Sequence, residues 1–425
     1  MMKTSSATLS RPAIAVEWLV VALLAWQVAL AIPEHLGDQC DFNHYFYLAG
    51  SKVACGSSPY DFVSPWGDRF MYPPWFALLM VPLSLLPMDL AANCWLAINL
   101  GALAGIVVLA KRLAGLRIGL RHAIILLLAL ALWRPTALHL AYGQHSLLPT
   151  AAALGAVLAL HLRRPWLAGC LLVMATSKPQ LAILLVPGLC LWEWRQHRAC
   201  HVFAAFAITV SALLLTFQLI APTWISDLMK AFPEASGTPI STRWFLNTYF
   251  GSNPVVETVS FAVLVLGSLA IMWAWLRPRA SLVETAGLTL TVTLLFTPHA
   301  QLHDYVILVF PLFQLIAMAI NTRSVAASSG RRHLAVLAIA SCVLVSIDGW
   351  IHRGMEHEWV WFQLQTWIGE ERTALVWEQS KSDWRFIAML LPLGLAIILS
   401  RTSNACLLQQ QQQQEFEYIK TAESI

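Results

Sequence analysis

Charge is what this sequence has least of: Asp, Glu, Lys and Arg make up 12% of its 425 residues, against 58% hydrophobic. Soluble domains carry about a quarter charged residues and about 45–50% apolar ones, so the polar surface here is too small to cover a water-soluble enzyme of this length. The motifs of soluble nucleotide and hydrolytic chemistry are missing as well. There is no GxxxxGK[ST] loop to cradle phosphates, no HExxH zinc pair and no GxSxG nucleophile elbow. A DxD pair, the usual divalent-metal handle for a nucleotide-sugar donor, is also absent. Cysteines at 40, 55, 94, 170, 190, 200, 342 and 406 show no CxxC or metal-ligand spacing, and most lie in apolar runs as small core residues. Cys40 and Cys55 share one polar loop, where a bridge requires that the loop be extracytoplasmic. No metal, cofactor or nucleic-acid partner is expected.

Long apolar runs are what the sequence has instead. Crossing the hydrocarbon core takes about 20 apolar residues, and backbone groups there must be satisfied internally, so each such run reads as a helix. Runs at 14–32, 88–110, 122–138, 146–162, 165–178, 180–194, 201–221, 255–276, 282–298, 304–321, 334–350 and 386–401 predict an all-α polytopic integral membrane protein with about twelve transmembrane helices. Several are short and imply local bilayer thinning or wider limits. Ala29-Leu30-Ala31 resembles a signal-peptide cleavage site, but the long preceding region carrying Glu17 reads as an uncleaved anchor. Residues 1–401 form one multi-span catalytic domain. Residues 402–425, with six consecutive glutamines at 409–414, cannot bury a core and read as a disordered cytoplasmic tail.

A further apolar run, 70–87, is assigned by charge. Counted as a span, it would put Lys111, Arg112, Arg117 and Arg121 on the side of the acidic loop 33–69. Read as a re-entrant or interfacial helix, it leaves most of the basic residues on one side, including Lys3, Arg11, Arg163, Arg164, Arg195, Arg198, Arg277, Arg279, Arg323, Arg331, Arg332, Arg401 and Lys420. The positive-inside rule makes that side cytoplasmic, with both termini. The outer segments are then 33–87, 222–254 and 351–385, the last with Trp359, Trp361, Trp367 and Trp377 suited to the headgroup level.

Chemistry must use the polar residues that these outer segments bring to the membrane face. In the first, Asp38, Asp41 and Tyr45 share one helical face, with His44 three residues beyond Asp41. A purely structural reading stands beside this: Asp38 as N-cap and Asp41 at the third helical position make a capping-box-like start. Lys178-Pro179 lies between two apolar runs on the outer side, against the cation trend, so either the lysine snorkels or it has an anionic partner. Two further outer turns carry Gly143, Gln144 and His145, and Thr297, Pro298, His299, Gln301, His303, Asp304 and Tyr305. His299 and His303 have zinc-compatible i, i+4 spacing but no fixed third ligand. Arg243 and Asn247, in 222–254, complete the set.

Several of these residues fall into an ordered pattern. Asp41-x-x-x-Tyr45-x-x-x-Ala49 is followed by Gly56-x-x-Pro59-Tyr60 and Tyr72-Pro73-Pro74. Then come Pro82-Leu83-x-x-Leu86-Pro87, Gly143-Gln144, Lys178-Pro179, and a turn from Thr297-Pro298 to His303-Asp304-Tyr305. The pattern resembles glycosyltransferase family 87, integral-membrane GT-C transferases that use a polyprenyl-phosphate sugar, often mannose. The resemblance implies membrane-parallel helices in the first outer loop and Asp41 as catalytic base.

It further implies transfer of a hexose to an envelope lipid or glycan acceptor, at the extracytoplasmic face of a bacterial inner membrane. Asp41 would take the acceptor hydroxyl's proton as the oxygen attacks and inverts the anomeric carbon. The departing phosphate needs positive charge or hydrogen-bond donors. Lys178, Arg243, His145 and His303 are the candidates, Arg243 by charge and side alone. Asp38, His44, Tyr45, Tyr72, Gln144, His299 and Asp304 are candidate substrate contacts. A transporter or lipid flippase is the competing reading, but its ionisable groups belong near mid-membrane, often within inverted repeats. A structural subunit would leave Asp41, Lys178 and His303 unexplained.

Overall fold

The computed structural model describes residues 39–64, 69–116, 118–231, 253–277, 281–297 and 300–321, with positions 22, 243, 246, 247, 250, 251 and 394 singly. The runs at 14–32, 334–350 and 386–401, the segment 351–385, the tail 402–425, Asp38 and His299 lie outside the described residues. Among the described residues the chain is all-helical, apart from an isolated antiparallel bridge between Val63 and Arg69.

A π-helical turn, Phe42–Phe46, runs into α1 (Tyr47–Ala54), followed by α2 (Pro74–Ser84) and α3 (Met88–Leu113). Next are α4 (Leu120–Leu132), α5 (Arg134–Tyr142), α6 (Leu147–His161) and α7 (Pro165–Ala175). A single turn, Pro179–Ala182, precedes α8 (Leu185–His197), α9 (His201–Ile220) and α10 (Trp224–Ala231). Further on lie α11 (Pro254–Leu276), α12 (Leu282–Phe296) and a 3-10 helix, Leu302–Leu308, that leads straight into α13 (Val309–Asn321). Proline opens many of these elements: Pro74, Pro135, Pro165, Pro179 and Pro254 sit in the first helical positions, where a missing N–H costs no hydrogen bond. At α11 the preceding Asn253 adds a cap, accepting from the amides of Val255 and Val256 at 3.0 Å each.

Three described helices are long and apolar enough to cross a membrane: α3 with 26 residues, α9 with 20 and α11 with 23. At 1.5 Å per residue they reach about 30–39 Å, the thickness of the hydrocarbon core or more. Much of α9 and α11 is uncovered by protein, exposing Phe203, Leu215, Leu219, Phe261, Leu266 and Trp273. Such a contiguous apolar surface suits a hydrocarbon solvent and not water.

Other expected spans differ from their sequence limits. The run 122–138 is a broken pair, α4 and α5, bent by 66°. Trp133 between them is extended at φ −61°, ψ 128°, because Pro135 has no N–H to donate back to the Ala131 carbonyl and its ring crowds that turn. The runs at 165–178 and 180–194 end and restart around Lys178 for the same reason, leaving helices of 11 and 13 residues on either side of a short turn. Both α6 and α12 have 15 residues and α13 has 13, so each taken alone reaches about 20–23 Å. The 70–87 run holds α2, which at 11 residues reaches about 16 Å and does not cross alone.

The apolar interior has two parts. The larger packs α3, α6, α7, α12 and α13 around Leu103, Leu154, Leu172, Leu290 and Phe310. The smaller is aromatic and holds the first loop down: Phe42, Phe46, Tyr60, Phe70, Phe76 and Trp95. Phe42 stacks on Trp95 at 5.5 Å, and Phe46 meets Phe76 edge-on at 5.0 Å. Pairs of this kind contribute about 0.5–1.5 kcal/mol beyond burial. Gly50 permits close approach of α1 to α2, since a Cβ there would lie 2.7 Å from the Met80 carbonyl oxygen. Leu148, near the start of α6, touches both interiors, and the polar residues just ahead of it occupy the seam between them.

Candidate active site

Asp41 stands at the mouth of the π-helical turn with helical backbone angles, φ −71° and ψ −36°, and its carboxylate makes no capping hydrogen bond. The π turn is closed by the Tyr47 amide donating to the Phe42 carbonyl. Single π turns of this kind concentrate at functional sites, because the extra residue re-aims the side chains around it. Asp41 Oδ2 instead accepts a short hydrogen bond from Gln144 Nε2, across 103 residues of sequence. The other partner of the expected capping box, Asp38, lies outside the described residues.

Gly143 delivers Gln144 to that position. It ends α5 in the left-handed region at φ +65°, and its carbonyl accepts from Trp95 Nε1 at 2.7 Å. A Cβ here would lie 2.8 Å from Phe42 Cβ and 2.9 Å from Gln39 Cβ, so a side chain would push the Asp41 turn away. Gly143→Ala combines a strained φ with that clash and is expected to cost about 1–3 kcal/mol. Thermal unfolding of the detergent-purified protein checks this; a wild-type midpoint would remove the close approach from the account.

Behind Gln144 lies a buried cluster. Its Oε1 accepts from Lys178 Nζ at 3.3 Å, and the same ammonium reaches Ser146 Oγ at 2.8 Å, His303 Nε2 at 3.3 Å and Asp304 Oδ1 at 2.5 Å. An ammonium has three N–H groups, and four acceptors surround this one. Lys178 is 2% exposed and Asp304 0%. Ser146 Oγ donates to Asp304 Oδ1 at 2.7 Å, and the Gln301 amide to Asp304 Oδ2 at 3.0 Å, in a capping box that opens the 3-10 helix. The Lys178-Pro179 break supplies the cluster twice over: it turns the ammonium inward and releases the Ser177 carbonyl, which His145 Nε2 reaches at 3.3 Å.

His145 is walled by aromatic rings, stacked on Phe76 at 4.1 Å with Tyr72 edge-on at 4.6 Å and Phe46 at 5.2 Å. Burial, with the Lys178 charge added, keeps its imidazole neutral far below the usual titration range. Burial and then the Asp41 carboxylate push the Tyr72 phenol well up, so it stays protonated and hydrogen-bonds with Gln144. With Nε2–H spent on Ser177, His145 presents Nδ1 as an acceptor.

The structure thus gathers Asp41, Tyr72, Gln144, His145, Lys178, His303 and Asp304. Tyr45 lies beside them on the π turn, its hydroxyl accepting from Ser64 at 3.0 Å, and His44 is half-buried on the same turn. Arg243 does not join the cluster's hydrogen bonds among the described residues: its Nε meets Glu257 Oε2 at 2.9 Å. Asn247 donates to the same carboxylate at 3.3 Å. Cys55 is exposed and carries a free thiol, so it is not bridged to Cys40.

Two residues of the cluster were missed by sequence reasoning. His139, fully buried on α5, accepts the Leu147 amide at Nε2 at 3.1 Å and so ties the end of α5 to the start of α6. It stood one residue past an expected span, where a histidine reads as a boundary residue. Ser146 was signalled only by following Gln144-His145. Among the described residues no three His, Cys, Asp or Glu side chains are grouped to hold a metal.

The family model of glycosyltransferase family 87 matches residues 70–298. That stretch includes Tyr72, Gln144, His145 and Lys178; Asp41, His303 and Asp304 flank it. Over 249 residues the chain is 30% identical to the polyprenol-phosphate-mannose-dependent alpha-(1-2)-phosphatidylinositol pentamannoside mannosyltransferase of Mycobacterium tuberculosis, covering 56% of each. Over 239 residues it is 28% identical to the Mycolicibacterium smegmatis protein of the same description, covering 53% of this chain and 55% of that one. The chain spans about half the length of the curated relatives it matches. No solved structure matches it.

Proposed function

The chain belongs to glycosyltransferase family 87, and from that membership we propose that it transfers a hexose, mannose in the first instance, from a polyprenyl-phosphate donor to an envelope lipid or glycan. The observation that carries this reading is the Asp41 carboxylate, held by Gln144 beside a polar cluster in an otherwise apolar, membrane-crossing chain. The relatives are described as polyprenol-phosphate-mannose-dependent mannosyltransferases, which supports the choice of donor.

In the proposed step Asp41 accepts the proton of an acceptor hydroxyl as that oxygen bonds to the anomeric carbon. The bond from that carbon to the phosphate oxygen breaks, and its electron pair leaves with the polyprenyl phosphate. Attack opposite the leaving group inverts the centre, so a β-linked donor gives an α-glycoside. The leaving group is itself lipid-borne, which is consistent with a chain that has no nucleotide-binding motif. Charge on the departing phosphate calls for a cation that a lipid headgroup can reach. With its side chain 55% exposed Arg243 meets that condition, whereas Lys178, at 3%, has its donors committed. We place the site on the extracytoplasmic face of a bacterial inner membrane, with both termini in the cytoplasm and α2 lying in the outer leaflet.

Membranes containing the chain, supplied with radiolabelled polyprenyl-phosphate mannose, are expected to accumulate label in a mild-acid-stable glycolipid or glycan. Label that stays entirely in the acid-labile donor, with the protein present and inserted, would overturn the mannose reading. Label that changes leaflet without changing chemical form would favour the flippase alternative.

A further inference from the structure

Gln144 has both ends of its amide committed. Nε2–H donates to the Asp41 carboxylate and Oε1 accepts from Lys178 Nζ at 3.3 Å, while the residue is 5% exposed. Only this amide orientation satisfies both neighbours, because a carboxylate cannot donate and an ammonium cannot accept. The anchor at the far end is itself fixed, with Lys178 held by Asp304, Ser146 and His303, and Asp304 held by Ser146 and the Gln301 amide. The chain Asp41, Gln144, Lys178, Asp304 thus joins the first loop to the 3-10 helix through one neutral side chain.

We propose that Gln144 is a positioning residue for the transfer reaction, a neutral bridge that aims the Asp41 carboxylate and keeps it ionised by fastening it to the buried Lys178–Asp304 pair. This rests on the reading of Asp41 as general base. Lys178 then serves the reaction from a distance, through Gln144, and not by contact with the donor phosphate. A hydrogen bond to a charged carboxylate favours the ionised form by about one to two pH units. Asp41 is only half-buried, so the lower part of that range applies.

Several titratable groups among the described residues surround the bridge. Tyr72 faces it from ahead of α2, Tyr45 from the π turn, His139 from α5, His145 from the turn behind α5, and His303 and Asp304 from the 3-10 helix. Tyr72 and His145 stay neutral through the working range, as argued above, and Lys178 and Asp304 compensate each other. The acid limb of the rate profile is assigned to Asp41 as the proposed base, and the Asp41→Asn profile is the control that separates it from His44, His139 and His303.

Asp41 works ionised, and loss of the amide donor destabilises that form, so Gln144→Leu is expected to move the acid limb of kcat/KM up by about one pH unit. Gln144→Glu keeps the shape but replaces the donor with negative charge, and is expected to move the limb further in the same direction. Measuring label transfer from polyprenyl-phosphate mannose against pH, in wild type, both variants and Asp41→Asn, tests this. Should Gln144→Leu fail to fold, Gln144→Glu carries the test. An acid limb that stays in place in the folded variant, with at most a raised donor KM, would make Gln144 a substrate contact and overturn the proposal alone. If Asp41→Asn retains transfer within tenfold of wild type, the base assignment falls and the bridge falls with it.

Discussion

Asp41→Asn is expected to lower transfer by about 10²–10⁴-fold, the usual contribution of a general base, with the protein still folded and inserted. The substitution is nearly isosteric, and an asparagine oxygen can still accept from Gln144 Nε2, so the tie between the π turn and the end of α5 survives. What disappears is the capacity to take a proton at this atom. A structural role predicts the converse, a loss of roughly 1 kcal/mol in stability with turnover per folded molecule unchanged. The hydrogen bond this carboxylate receives from Gln144, 103 positions away, is one that a purely local cap does not call for. Transfer within tenfold of wild type, at equal amounts of inserted protein, would remove Asp41 from the reaction. Measured over several pH values, the residual activity of Asp41→Asn should also lose the acid limb.

Hydropathy made the helical, membrane-crossing character legible, because a bilayer imposes a length and a composition on each span. It did not show where spans break. A window of 18–20 apolar residues averages across Trp133-Arg134-Pro135, whereas the backbone there is decided by one missing N–H and one ring clash. The interruption at Lys178-Pro179 was legible as a gap between two apolar runs, but not its extent from Thr176 to Leu184 or the inward turn of Lys178. Among the site residues, Asp41, Gln144, Lys178, His303 and Asp304 were each visible as polar residues in unexpected places. Their partnership was not visible. The three contacts that build the site join residues 103, 34 and 126 positions apart, and no local period encodes such distances.

Roles were harder to read than positions. Lys178 stands out in the sequence as a cation on the side read as acidic, where charge counting pairs it with a donor phosphate. The structure also gives it a counter-ion within the chain, Asp304. A buried lysine cannot be interpreted from its sign alone, because the cost of removing it from water is settled by whatever it finally touches. His139 illustrates the same point in neutral form: a histidine in an apolar helix carries no signal until the amide it accepts, that of Leu147, is brought to it.

Lys178→Met is therefore expected to act first on the fold. It leaves Asp304 buried at 0% exposure without its cation, and breaking a buried pair from one side typically costs about 3–5 kcal/mol. That should appear as a large drop in thermal midpoint or in recovery of inserted protein. The double variant Lys178→Met/Asp304→Asn removes both charges and keeps a side-chain acceptor for the Gln301 amide, so stability should largely return. Activity should not return with it. Gln144 Oε1 has then lost the ammonium that oriented its amide, the grip on Asp41 loosens, and turnover falls while the donor KM changes little. Contact between Lys178 and the donor phosphate predicts the opposite division, with donor KM raised in the folded double variant and turnover at saturating donor near wild type. Saturation curves for polyprenyl-phosphate mannose, measured on the double variant once its thermal midpoint is restored, separate the two because stability no longer contributes to the difference.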